Sequence, residues 1–271
     1  MSAIQIQGLT RDYGKGKGIF DLTFQVAQGE VFGFLGPNGA GKTTTIRHLM
    51  GFLRPEHGSC QIGGLDCWKK RHKIQRNLGY LPGEIQFFED MTGREFLDFL
   101  SAYRKIPQGP RFWEMLDRFE VDPRGKIKKM SKGMKQKLGL VAAFMHDPEI
   151  LILDEPTSGL DPLMQSRFLD LMAEEKKKGK TVLLSSHIFE EVDRTCDRIG
   201  MIRAGKLVAV DSVQALRQQH THTYRVQLDS PQQARQFAQD FHGELEGSSV
   251  TLRAQQSMES IFMNYYGGDA P

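Results

Sequence analysis

Residues 30–51 read EVFGFLGPNGAGKTTTIRHLMG, and this stretch decides the fold. An apolar segment of strand length, 30–36, leads into a glycine-rich loop and then into a segment with helical spacing, 43–51. The loop GPNGAGKT (36–43) matches the pattern G-x-x-x-x-G-K-[ST] between a predicted strand and a predicted helix, as that pattern requires. Its backbone N–H groups predict a cradle for a chain of phosphates.

The residue types in this loop each have a chemical reason. A side chain at Gly36, Gly39 or Gly41 is expected to obstruct the wrapping of the backbone around phosphates. Lys42 can reach the β- and γ-phosphates, and the Thr43 hydroxyl can bind Mg²⁺. A glycine loop without function is the alternative, and the flanking strand and helix argue against it. The candidate nucleotide-binding residues are Gly36, Pro37, Asn38, Gly39, Ala40, Gly41, Lys42, Thr43 and Thr44.

A second apolar strand, EILILDEP (149–156), ends in two acids. Asp154 stands at the end of the strand, where its carboxylate can hold the Mg²⁺ shell together with Thr43. Glu155 offers a second carboxylate that can orient and polarise an attacking water, so we assign it the role of general base. Solvated loop acids are the alternative interpretation of this pair.

Two further candidates follow neighbouring segments. His187 comes directly after the predicted strand TVLLSS (181–186), where its imidazole can contact a γ-phosphate and hold the water. Taken alone, a histidine in such a position is more often structural than catalytic, but its place after the strand that follows LILDE favours the catalytic role. Asp161 ends the tight turn SGLD (158–161), where it can serve as the N-cap before Pro162 and as a nucleotide contact.

Composition and charge limit the classes of function. The chain has 271 residues, of which 39% are hydrophobic and 25% charged, as in ordinary globular proteins. Its net charge of +3 is too small to indicate nucleic-acid binding by itself. The three cysteines form no paired motif and fit a reducing compartment, and we expect no signal peptide. No apolar run approaches the roughly 18–20 residues that cross a bilayer, so we expect another chain to supply any membrane span.

The order of elements predicts an α/β fold with a largely parallel sheet. Two segments with alternating apolar residues, 3–8 and 18–26, precede the loop and predict half-buried strands. A helical block at about 84–148 interrupts the alternation of strands and helices and predicts an inserted subdomain. We therefore divide the chain into 1–220 and a small C-terminal α+β domain, 221–271. The order expected in the second domain is strand, helix, strand, helix, in THTYRVQLD, SPQQARQFAQDF, SSVTLRA and SMESIFMNYY.

Taken in order, GPNGAGKT, MSKGMKQKL, LILDEP, SGLD and SSH resemble the nucleotide-binding subunits of ABC (ATP-binding cassette) transporters. The resemblance spans about residues 1–220. It implies a P-loop NTPase core of the ABC type, with an antiparallel β subdomain and an inserted helical subdomain, that binds ATP and Mg²⁺ and hydrolyses ATP. By the same resemblance, MSKGM (130–134) takes the place of the family signature LSGGQ, and Tyr13 takes the place of the aromatic residue that stacks on adenine.

The resemblance also implies partners. Two copies are expected to pack head to tail, so that Ser131 and Gly133 of one copy face the γ-phosphate bound by the other. A separate transmembrane permease is expected to hold the dimer at the cytoplasmic face of the membrane, and no nucleic acid is expected. The predicted helix start at Ser131 is a second potential anion-binding site in the same chain, besides the phosphate loop. The resemblance explains it, because this helix start is expected to serve the nucleotide bound by a neighbouring copy.

The sequence departs from the family pattern at two sites. The signature carries Lys132 and Met134 where glycine and glutamine are usual. In GYLPGE, Gly83 and Glu84 stand where the family has a glutamine that reaches toward Mg²⁺, so we expect Glu84 to act as a metal ligand in its place. Both departures resemble the drug- and antibiotic-export branch of the family.

Three other functions compete with an exporter ATPase. The nearest is the ATPase of an importer. A soluble ABC-type ATPase acting on nucleic acid or ribosomes usually carries long coiled coils, a zinc hook or two cassettes, and the sequence has none of these. A GTPase switch is disfavoured because no N-K-x-D motif for guanine is present.

Overall fold

The computed structural model describes residues 2–219 and 221–255. Contacts within the chain separate it into two compact units, Met1–Val210 and a unit that begins at Asp211. The functional division expected from the sequence, 1–220 and 221–271, remains a prediction.

Strands in the described part of the chain that begin in the first unit are β1 (Ser2–Asp12), β2 (Gly18–Ala27), β3 (Val31–Leu35), β4 (His57–Ile62), β5 (Leu65–Asp66), β6 (Leu78–Leu81), β7 (Ile150–Asp154), β8 (Thr181–Ser186), β9 (Arg198–Arg203) and β10 (Lys206–Ser212). Its helices are α1 (Lys42–Leu49), α2 (Arg71–Asn77), α3 (Gly93–Arg104), α4 (Pro110–Arg118), α5 (Lys132–Phe144), α6 (Pro162–Lys177) and α7 (Phe189–Thr195), with a 3₁₀ turn at Ile127–Lys129. Helices α2 and α7, which are each only seven residues long, were not predicted from the sequence.

The main sheet has the strand order β10-β9-β3-β8-β7-β6. Strands β9, β3, β8, β7 and β6 are paired in parallel, which confirms the expected parallel sheet. Every residue of β3 and of β8 is buried, because helices cover a parallel sheet and its strands are therefore apolar throughout. In the register, Leu35 pairs with Ser186, and Asp154 pairs with Ser185. The carboxyl ends of β3, β7 and β8 therefore meet at one edge of the sheet.

A second sheet, with the order β2-β1-β4-β5, forms the antiparallel subdomain. Strand β1 pairs antiparallel with both β2 and β4. Its alternating apolar residues Ile4 and Ile6 are buried in a core cluster that also contains Ile46 and Leu49 of α1. The half-buried strands expected from the sequence are thus confirmed, and this sheet packs against the helix that follows the phosphate loop.

The inserted region contains α3, α4 and α5, as the helical block predicted. Helix α3 begins with a capping box, in which Thr92 N–H donates to Glu95 Oε2 at 2.7 Å and Glu95 N–H donates to Thr92 Oγ1 at 3.1 Å. Helix α5 begins at Ser131, whose hydroxyl accepts the N–H of Met134 at 3.2 Å. The local capping signals in the sequence therefore set both helix starts.

The second unit holds a small antiparallel sheet with the order β11-β13-β12. Its elements are α8 (Val213–Gln219), β11 (Thr221–Gln227), α9 (Pro231–Asp240), β12 (Glu244–Glu246) and β13 (Ser249–Gln255). The first strand, the helix and the second strand expected from the sequence are present, and β12 is an additional short strand. The final helix expected in SMESIFMNYY lies outside the described residues.

Candidate nucleotide-binding site

The phosphate loop joins the buried strand β3 to α1. Gly39 and Gly41 have φ angles of 79° and 113°, in the left-handed region that favours glycine. Gly36 has another reason to be glycine, since a Cβ there would lie 2.5 Å from the carbonyl oxygen of Ile202 on β9. The loop therefore needs glycine at Gly36 for packing against the neighbouring strand, in addition to the reason that the sequence suggested.

Lys42 points back into its own loop. Only 4% of the residue is exposed, and its Nζ donates to the carbonyl oxygens of Gly36 at 2.6 Å and Pro37 at 3.2 Å. The ammonium group is thus held against two carbonyl groups of the loop that precedes α1. A chain of phosphates laid along this loop would meet both the amides and the fixed cation.

Thr43 and Asp154 form the part of the site that suits a divalent metal. Thr43 Oγ1 donates to Asp154 Oδ2 at 2.8 Å, although the two residues lie on different elements. Asp154 is buried, and its other oxygen accepts the Ser185 hydroxyl. A hydroxyl and a carboxylate that converge in this way are hard oxygen ligands, which is the donor set that Mg²⁺ prefers. The residues present therefore fit the metal.

The Glu155 carboxylate lies close to the side chains of both Lys42 and His187. Its Oε1 lies 3.4 Å from Lys42 Nζ and 3.4 Å from His187 Nδ1. His187 follows β8 directly, and 46% of its side chain is exposed, so the imidazole borders both the carboxylate and solvent. Three candidates from three separate segments of the sequence thus meet at the edge where β3, β7 and β8 end.

The first turn of α5 carries two further candidates, Ser131 and Gly133. Ser131 is exposed and Gly133 is half-buried. The Ser131 hydroxyl accepts the Met134 N–H, and the described hydrogen bonds include none from Ser131 or Gly133 to the loop 36–43.

The other candidates occupy varied surroundings. Tyr13 is 52% exposed between β1 and β2, with the Arg11 guanidinium 5.3 Å from the centre of its ring. Asp161 is the expected cap, because its Oδ1 accepts the N–H of Met164 at 3.0 Å at the start of α6. Glu84 is exposed, and among the described contacts none joins it to Asp154. The nucleotide and metal roles of Tyr13, Asp161 and Glu84 stay predictions.

In the segment GYLPGE, Gly83 rather than Glu84 is the residue that lies against Asp154, one of the two residues that suit a divalent metal. A Cβ at Gly83 would lie 3.1 Å from Asp154 Oδ2. The backbone between β6 and α3 therefore approaches the acid closely, and a side chain at this position would crowd it.

Two buried residues near the site were missed in the sequence. Gln136 on α5 donates from Nε2 to the carbonyl oxygens of Pro156 at 2.8 Å and Glu155 at 3.2 Å. Glu191 on α7 is 4% exposed and accepts the Ser186 hydroxyl next to His187. Burial raises the pKa of Glu191 to about 7. Gln136 lies within the quoted segment MSKGMKQKL but was given no role there, and Glu191 belongs to none of the quoted motifs. For both, the available signal was a polar residue on the apolar face of a helix.

The parallel sheet, the loop before α1 and the acids after β7 define a nucleotide-binding protein of the P-loop class. The family model described as ABC transporter matches residues 19–158, about half of the chain. The chain belongs to this family and is an ATP-binding subunit with the ATPase fold.

The relatives include proteins named for antibiotic resistance and transport. The chain is 36% identical over 212 residues to the linearmycin resistance ATP-binding protein LnrL of Bacillus subtilis (strain 168), with 76% of this chain and 68% of the relative covered. It is 39% identical over 210 residues to the bacitracin transport ATP-binding protein BcrA of Bacillus licheniformis, with the same coverage, 76% and 68%. The predicted resemblance to the drug- and antibiotic-export branch is confirmed, because relatives with these names match the chain.

A solved structure has the same fold. The ATP-binding subunit of an ABC transporter superposes with a TM-score of 0.73 at 31% identity, covering 80% of this chain and 93% of the other. Within residues 2–219 and 221–255, no helix is both long enough and apolar enough to span a bilayer.

Proposed function

We propose that this chain hydrolyses ATP to drive a membrane exporter of drug-like, antibiotic-like or lipid-like compounds, by closing and opening as a dimer. The observation that carries the proposal is the meeting of Lys42, Glu155 and His187, with a single carboxylate oxygen 3.4 Å from each of the two nitrogens. Membership of the ABC transporter family supplies the class of reaction.

Separate groups of residues bind the phosphates, the metal and the adenine of ATP. The loop from Gly36 to Thr44 holds the phosphates through its N–H groups, and Lys42 neutralises the β- and γ-phosphates. Thr43 and Asp154 would hold Mg²⁺, with Glu84 as a further ligand, and the metal neutralises phosphate charge when bound. Tyr13 stacks on adenine, a role for which its exposed ring leaves room.

Glu155 and His187 act on the water. The Glu155 carboxylate orients a water toward the γ-phosphorus and takes its proton while the new P–O bond forms and the bond to the β–γ bridging oxygen breaks. The products are ADP and inorganic phosphate. His187 contacts the γ-phosphate and keeps the water in line, and its position 3.4 Å from the same carboxylate supports this role.

The dimer completes the site. Ser131 and Gly133 lie at the exposed start of α5, where the hydroxyl, the free N–H groups and the helix dipole favour an anion. They make no described hydrogen bond to the phosphate loop of their own chain, which supports a role toward the nucleotide of a second copy. Cassettes of this family act as dimers, and Asp161 is expected at the same interface.

The membrane span comes from a separate permease. We infer that the dimer binds the permease at the cytoplasmic face of the membrane, as a peripheral subunit. Export is favoured over import by the relatives, which are named for linearmycin resistance and bacitracin transport.

Two measurements test the proposal. Glu155→Gln is expected to lower the ATPase turnover of the full chain by about 10²-fold or more, because the proton acceptor is lost. Glu190→Gln, which changes an exposed glutamate on α7, is the matched control and should keep wild-type turnover. Co-expression with the permease should move the chain from the supernatant to the membrane fraction. Full turnover in Glu155→Gln, or failure to sediment with any permease, contradicts the proposal.

A further inference from the structure

The backbone of Glu155 has an unfavourable conformation. Its φ angle is 50°, in the left-handed region that a residue with a side chain rarely adopts. Such a conformation persists only where the surrounding structure holds it, and it occurs often at functional sites. The direction of the Glu155 side chain, toward Lys42 and His187, therefore depends on whatever fixes this peptide.

Two neighbours hold the peptide from opposite sides. On the amino side, Glu155 N–H donates to the carbonyl oxygen of Ser185 at 3.1 Å and to its hydroxyl at 3.2 Å. On the carboxyl side, the Glu155 and Pro156 carbonyl oxygens accept from the amide of Gln136, at 3.2 and 2.8 Å. Ser185 belongs to the sheet, whereas Gln136 reaches in from the helical insertion.

Gln136 is an unusual residue for its position. It is 4% exposed, on a helix whose residues 138–144 are all buried. A buried amide is unfavourable unless it is hydrogen-bonded, and here both bonds go to consecutive carbonyl groups of the strained segment. Its hydrogen-bonding capacity is thus directed at the backbone of Glu155 and Pro156.

We propose that Gln136 is a positioning residue for ATP hydrolysis, which holds the Glu155 peptide so that the carboxylate stays between Lys42 and His187. The inference rests on the proposed function, since it assigns Gln136 a role through Glu155. Gln136 itself touches no reacting atom.

The same helix packs on the loop that follows Glu155. A Cβ at Gly133 would lie 2.8 Å from the carbonyl oxygen of Gly159, so the two backbones are in close contact. The Lys132 side chain packs against Gly159, and its Nζ donates to Ser158 Oγ at 3.4 Å. The first turn of α5 and the segment after Glu155 are therefore joined, and a nucleotide that engages Ser131 in the dimer also acts on the helix that carries Gln136.

The test removes the amide and keeps the volume. Gln136→Met in the full chain should lower the single-turnover hydrolysis rate at saturating ATP and Mg²⁺ by about tenfold or more. The dissociation constant for a non-hydrolysable ATP analogue should change by less than about threefold, since binding does not use the Glu155 carboxylate. Gln75→Met is the matched control, because Gln75 on α2 also donates from a helix to a carbonyl of another segment, that of Met50 at 2.6 Å, outside the proposed machinery.

Further variants separate the possible results. Gln136→Asn keeps the amide but is too short to reach both carbonyls, so it should show the same loss of rate if Gln136→Met does not fold. A loss equal to that of Gln75→Met, or a loss of analogue binding as large as the loss of rate, overturns the inference. Gln136→Met should also add nothing to Glu155→Gln, because both changes act on one group. An active Glu155→Gln contradicts the proposed function, whereas an inactive Glu155→Gln with a fully active Gln136→Met contradicts this inference alone.

Discussion

Lys42 and Glu155 form an ion pair across the carboxyl edge of the sheet, with Nζ and Oε1 3.4 Å apart. One residue belongs to the helix after β3 and the other follows β7, and β8 lies between these two strands. The pair is largely shielded, since the side chains are 4% and 25% exposed. The cation proposed to hold phosphate and the carboxylate proposed to orient water thus occupy one small volume.

Mixing two inactive variants should restore activity if each site is shared between copies. Lys42→Ala removes the cation of the phosphate loop. Ser131→Arg places a bulky side chain at the first turn of α5, where the nucleotide of the other copy is expected to bind. Each variant alone should hydrolyse ATP at least about 10²-fold more slowly than wild type. In a mixed dimer, the loop of the second variant faces the intact Ser131 of the first, so one site is complete. We expect the mixture to recover a substantial fraction of wild-type turnover, measured by phosphate release.

Ser131 is the better target for this experiment. A substitution at Gly133 would strain the contact with Gly159, whereas Ser131→Arg removes only a helix cap worth about 1 kcal/mol. Thermal unfolding should therefore show both variants folded. If the mixture is no more active than its components, each chain completes its own site and the shared dimer is wrong.

Glu155→Gln should trap the dimer bound to ATP. Hydrolysis removes the γ-phosphate that bridges two copies, so a chain that binds ATP but does not cleave it stays closed. Size-exclusion chromatography with ATP and Mg²⁺ should give a dimer for this variant and a monomer when nucleotide is omitted. Glu190→Gln serves as control and should return to monomer as it consumes ATP. A Glu155→Gln chain that elutes only as monomer with ATP contradicts the closure mechanism.

Acid should destabilise the first unit through His146. Burial, with the neighbouring Arg104 guanidinium, lowers the pKa of His146 to about 4. The unfolded chain then binds more protons than the folded chain between pH 6.5 and 4, so the free energy of unfolding falls as the pH falls through this window. The contribution of His146 lost at pH 5 is about 2 kcal/mol. His146→Gln should reduce the fall measured in urea between pH 7 and 5, and His72→Gln, an exposed histidine, should not.

Glu191 should give the opposite pH dependence. Its burial raises the pKa to about 7, with the charge of Glu155 adding to the shift. The folded chain holds this proton more tightly than the unfolded chain, so the stabilisation is present below about pH 4.5 and is lost as the pH rises through 7. In Glu191→Gln the side chain stays uncharged. Between pH 5 and 8, the free energy of unfolding of this variant should therefore change by about 2–3 kcal/mol less than that of the wild type. Denaturant curves for Glu191→Gln and Glu190→Gln make the comparison, and equal slopes with pH for the two would refute it.

Local patterns accounted for most of the elements. The apolar runs of β3, β7 and β8, the capping box at Thr92 and the cap at Ser131 are each encoded within a few neighbouring residues, and the structure contains them all. The short helices α2 and α7 were not predicted, because seven residues make two turns and show little periodicity. Their formation depends on packing against the sheet rather than on their own sequence.

The sequence by itself determined the class of site. The spacing within GPNGAGKT and the acids that end LILDE are contiguous motifs, and their chemistry requires only that each follow a strand. Only the tertiary structure decided which side chains meet: Thr43 on Asp154, Glu155 between Lys42 and His187, and Gln136 on the strained peptide of Glu155. The physical reason is that hydrogen bonds and ion pairs between distant segments depend on strand order and helix packing, which no local pattern of residues contains.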